Sequence, residues 1–122
     1  MGFGLGFVFW LGWLLERLNM ARFIISFNDG DMKVADGEWQ QVADESHAVV
    51  REAKAAGVWI FGGGFHTYSP VVVDENGTVT EGPIRQSAVV LGGFSVIQVA
   101  TTEEAYEWAA KIAKSCRCPQ EV

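Results

Sequence analysis

The stretch Thr80 to Phe94 constrains this chain most: Thr-Glu-Gly-Pro-Ile-Arg-Gln-Ser-Ala-Val-Val-Leu-Gly-Gly-Phe. It joins a hairpin signal to the longest clean strand pattern, with a Gly-Pro turn at one end and a Gly-Gly pair at the other. Its middle is too polar and too broken for a regular element. A link of that length inside a compact domain marks function or disorder. The closing Gly-Gly-Phe argues for a tight, ordered path.

The patterns on either side set the fold class. Arg22 to Phe27 is β-branched and aromatic, a strand pattern. Asn28 to Gly37 holds Asp-Gly twice and reads as a loop. Asp44 to Ala56 reads as a helix, capped by Asp36 or Asp44 and stopped by Gly57, with Val42, Val49, Ala53 and Ala56 on one face. Val58 to Phe61 reads as a short buried strand ended by Gly62-Gly63-Gly64. Val71 to Val73 and Thr78 to Thr80 flank Asp74-Glu75-Asn76-Gly77, whose Asn-Gly supplies the positive φ angles of a hairpin turn. Phe94 to Ala100 alternates as a strand with one half-polar face. Thr101 and Glu104 form a capping box before an amphipathic helix carried by Ala105, Trp108, Ala109, Ile112 and Ala113. Pro119 to Val122 reads as the start of a last strand. The order is β-α-β, hairpin, β-α-β: an α+β, ferredoxin-like plait with both helices on one face of an antiparallel sheet. The uncovered face calls for a second copy, so a homodimer or higher homo-oligomer is expected.

Composition narrows the partners. A chain of 122 residues is one domain by default. Its net charge of −6, with nine scattered basic residues, disfavours nucleic acid. Met1 to Leu15 is uncharged and rich in Phe, Trp and Leu, but is short for a membrane span and holds four glycines. It lacks the basic start and cleavage site of a secretory signal. Residues 1–19 are therefore an apolar extension, with residues 20–122 as the domain. The extension is a helix packing on another subunit, a segment upstream of a domain that starts at Met20, or a membrane-surface anchor. Cys116 and Cys118 are too close for an unstrained disulfide and read as free thiols in a reducing, cytoplasmic setting. Two His and two Cys, widely separated, give no metal-ligand spacing, and no cofactor motif is present. Gly62 to Gly64 is no phosphate loop, because no Lys-Ser/Thr follows it.

From Ala21 onward the chain resembles the YCII-related family, in its Asp-Gly-Pro-Phe branch. Thr80-Glu81-Gly82-Pro83-Ile84 stands at that motif, with ungapped spacing to Leu91-Gly92-Gly93-Phe94. Arg22-Phe23-Ile24-Ile25, Ala55-Ala56-Gly57-Val58 and Glu103-Glu104-Ala105-Tyr106-Glu107-Trp108-Ala109 fit the family's other blocks. The resemblance implies a dimeric α/β barrel of two ferredoxin-like protomers, with a cleft near His47 and Glu81. The chain departs from the pattern at Ile84 and at Gln86-Ser87-Ala88-Val89, which removes two acids and a lysine from the cleft rim.

His47 and Glu81 are the pair able to carry proton transfer. An imidazole titrates near neutrality, and a carboxylate in reach fixes its tautomer and raises its basicity. The alternatives are a surface or boundary His, or a purely structural His-Glu hydrogen bond. Arg85 can hold an anion bidentately or stand solvated. His66, Phe65 and Tyr68, with Phe61 and Phe94, can line an apolar cleft or serve as loop and core. Two functions follow: a small-molecule-binding domain, enzymatic if His47 acts as base, or a non-catalytic assembly module of regulatory setting.

Overall fold

The computed structural model describes residues 20–82 and 90–122. It is α+β, with strands β1 (Ala21–Asn28), β2 (Trp59–Gly64), β3 (Val71–Val73), β4 (Val79–Glu81) and β5 (Leu91–Val99). The helices are α1 (Trp39–Ala55) and α2 (Thr102–Cys116). The main sheet runs β1-β5-β2 and is antiparallel. A bridge between Ser26 and Glu121 adds the C-terminal segment beside β1, through backbone bonds of 2.9 and 2.7 Å. The last-strand signal at Pro119 to Val122 thus becomes one bridge. The order, from the C-terminal segment through β1 and β5 to β2, is compatible with the ferredoxin-like plait.

Alternation along β5 decides which face is the core. Ser95, Ile97 and Val99 are buried, and Ile97 sits opposite Phe23 of β1. With Ile25, Ala105 and Ala109 they close the helix-covered core, against which Trp59, Trp108 and Ile112 pack. Thr101 caps α2 as its sequence requires, its hydroxyl accepting from the Glu104 N–H at 3.1 Å. Small Ala105 and Ala109 let α2 approach β5 closely. The residues between the buried ones point to the other face. There Ile24 stays 62% exposed and Phe61 55%.

Several boundaries differ from the sequence reading, among them the second hairpin strand, which is Val79–Glu81 rather than Thr78 to Thr80. α1 begins at Trp39, not Asp44, and neither Asp36 nor Asp44 caps it. Asp44 instead accepts from Gln40 and Glu45 accepts from Gln41, each one turn on, which supports the extra turns. Buried Val42 anchors the first turn, whereas Ala56 lies beyond the helix and is exposed. β2 runs through Gly62 to Gly64 rather than ending before them, and it is an exposed edge strand. β5 starts at Leu91, so the second glycine pair also lies inside a strand. The hairpin forms with Val73 opposite Val79, and the Asp74 carboxylate accepts from the N–H groups of Asn76 and Thr78.

A glycine-floored cavity beneath the first helix

The two glycine runs meet. Gly62 pairs with Ser95 and Gly64 with Gly93 across the β2–β5 ladder. A Cβ on Gly62 would stand 2.6 Å from the Phe94 carbonyl oxygen, and one on Gly93 2.7 Å from the Gly63 oxygen. Gly92 and Gly93 also leave room for the Phe27 ring, which a Cβ on either would meet at 2.7 Å. Glycine here is a requirement of close backbone approach. It also strips the sheet of side chains just where α1 crosses it.

The result is a cavity of about 390 Å³ between α1 and the sheet. Gly62, Gly63 and Gly64 form its floor, with Trp59 and Phe27 as aromatic walls. Val42, Ser46, Val50 and Lys54 face it from α1, four residues apart in turn, so they form one stripe. Ile112, Ser115 and Cys116 of α2 close the far side with Met32 and Gln120. The acids of α1 turn elsewhere: Glu52 pairs with Lys111, and Glu45 with Arg117 at 2.6 Å. Both ties cross to α2 and hold the roof. The Arg117 hydrogen bond, and after it that of Gln41, keeps the Glu45 carboxyl below its ordinary range.

His47 lines this cavity from the exposed side of α1. Glu81 does not: it ends β4, exposed and paired with Val71 in the separate hairpin. The expected pair is therefore split between the cavity wall and the hairpin. Phe65 and Tyr68 meet edge to face at 5.9 Å, and Phe65 and Phe61 flank Phe94 at 5.6 and 5.3 Å. That aromatic group sits about the Phe94 ring; Phe65, Tyr68 and Phe61 are not in the cavity wall. The Tyr68 hydroxyl donates to the Leu91 carbonyl at 2.9 Å, pinning the loop after β2 to the start of β5. His66 is exposed in that loop. Arg85 lies outside the described residues.

Sequence reasoning missed Ser46, Lys54, Ser115 and Cys116 as cavity residues. The four-residue spacing from Val42 to Lys54 carried the signal for the first two. Burial pushes the Cys116 thiol up, and pushes that of Cys118 up to about 11. Both cysteines are free, and Cys118 is buried. Among the described residues no cluster of three or more His, Cys, Asp or Glu side chains could hold a metal. No helix among them is long and apolar enough to cross a membrane. No family model and no curated protein matches the chain.

Proposed function

We propose that this chain is a small-molecule-binding domain that works as a homodimer. The cavity beneath α1 carries the proposal: about 390 Å³, mixed aromatic and hydroxyl walls, and a bare backbone floor. Small-ligand sites have volumes of roughly 300–1,000 Å³ with mostly apolar linings and a few polar groups. In its enzymatic form the proposal gives the proton step to His47, the imidazole in the described wall. Glu81 has no place in that wall, so it enters only if the hairpin brings it there.

The homodimer rests on the helix-free face. Ile24, Phe61, Phe65 and Tyr68 are each 44% exposed or more on a single protomer. A grouped apolar surface of that kind marks an interaction site. Packing two such faces about a two-fold axis would build the dimeric α/β barrel of the YCII-related family, and membership of that family belongs to the same proposal.

The test is a fragment screen by thermal shift on wild-type protein and on Gly64→Val. Gly64 has ordinary φ, and a Cβ there finds its nearest neighbour 3.9 Å away, so a branched side chain can start from the floor and take up part of the cavity. Fragments that stabilise the wild type and not Gly64→Val support the binding function. Fragments that stabilise both equally, or none at all, leave the non-catalytic assembly module as the function. Light scattering tests the dimer separately, with Ile24→Asp expected to be monomeric.

A further inference from the structure

We infer that the cavity selects a slim hydroxylated monocarboxylic acid, with its carboxylate at Lys54 and its hydroxyl at Ser46 and Ser115. The inference rests on the cavity being a ligand site. It comes from the sign of the polar groups at the two ends.

Among the described residues of the wall, Lys54 is the one Lys, Arg, Asp or Glu. The chain as a whole has 15 acids against nine bases, so a lysine with no acid beside it among the described wall residues runs against its composition. Glu45 and Glu52 stand off the cavity stripe by their helical spacing and pair with Arg117 and Lys111 instead. Lys54 stands at the exposed mouth near the end of α1, where its ammonium can meet a ligand anion.

The other end has the opposite character. The Ser46 hydroxyl donates to the Ala43 carbonyl at 3.1 Å, and that of Ser115 to the Ile112 carbonyl at 2.9 Å, with the Cys116 Sγ a longer acceptor at 3.9 Å. With their protons committed, both oxygens present lone pairs to the cavity. Ser115 is 4% exposed and already bonded to Ile112, so its remaining lone pair is open to a ligand donor rather than to bulk water. Ser46 and Lys54 are two turns apart, about 12 Å along the helix axis. Between them lie Val50 on the roof and glycine on the floor, which favour a narrow apolar body. A molecule with a hydroxyl at one end and a carboxylate at the other fits both ends at once.

The experiment titrates the full chain with 4-hydroxycinnamate, its methyl ester and cinnamate, followed by amide chemical shifts. The acid is expected to bind about tenfold tighter than its ester, the size of a charge-assisted hydrogen bond. It is expected to bind about fivefold tighter than cinnamate, the size of a neutral one. Lys54→Gln should abolish the first preference and keep the second; Ser115→Ala should do the reverse. Equal binding of acid and ester, or a preference unchanged in Lys54→Gln, overturns the ligand class while leaving a binding cavity. No binding by any of the three overturns the ligand class, and the cavity function falls as well if the fragment screen is also empty.

Discussion

Gly62→Ala and Gly63→Ala are neighbouring, chemically identical changes that should have opposite effects. On Gly62 the new methyl would lie 2.6 Å from the Phe94 oxygen and from the Ser95 Cα. Ordinary contact begins at 3.4 Å, so β2 must retreat by about 0.8 Å from backbone that cannot swing aside. A ladder hydrogen bond near 2.9 Å does not survive that retreat. Over-packing of this kind costs about 1–3 kcal/mol, and a less flexible unfolded chain returns about 0.4–1 kcal/mol. The net is a loss of about 1.3 kcal/mol, or about 5 °C in Tm for a domain this size. On Gly63 a Cβ meets nothing within 4 Å, and φ is ordinary. Only the unfolded-state effect remains, a gain of about 0.5 kcal/mol. Urea unfolding by tryptophan fluorescence, at one fixed protein concentration, measures both. Equal effects at the two positions would refute the close β2–β5 approach that makes the cavity floor.

Other expectations follow from burial and charge. Ile97, wholly buried in the core, should lose about 2–5 kcal/mol on truncation to alanine, read from the same urea curves. The folded-state carboxyl of Glu45 is depressed, so its stabilisation is present above its ordinary value of 4.5 and is lost as pH falls through the lower folded value. Acid titration of wild type and Glu45→Gln should therefore show a wild-type advantage near neutrality that vanishes on the acid limb. The Cys118 thiol is raised from 9.0 to about 11, so at pH 8 its thiolate fraction, and its reaction with a disulfide reagent, should be roughly a hundredfold below that of the urea-unfolded chain. Because that thiol is raised, its stabilising effect holds below about pH 9 and fades as pH climbs toward 11.

Much of the fold was legible because it rests on local chemistry. The α2 cap, the alternation of β5 and the hairpin turn are decided by neighbours in sequence; the cap forms at Thr101, β5 alternates as read but starts early at Leu91, and of the Asn-Gly pair Gly77 alone takes positive φ. The start of α1 was not legible, because Gln40–Asp44 and Gln41–Glu45 side-chain pairs extend the helix past the aspartate that resembles a cap. The cavity was hidden for a different reason. Gly62 to Gly64 read as the end of a strand, but their meaning lies in Gly92 and Gly93, some thirty residues on, and only the sheet register brings the two runs together. His47 was found on its helix, yet its expected acid stayed on the hairpin, since a motif's spacing does not fix where a projecting arm sits.

The most direct measurement is a set of intermolecular nuclear Overhauser effects from a bound fragment to the methyl groups of Val42, Val50 and Ile112, which face the cavity from two helices. Cross-peaks to all three, lost in Gly64→Val, are the predicted result. Cross-peaks confined to Ile24 and the hairpin valines, with Val42, Val50 and Ile112 silent, would contradict it.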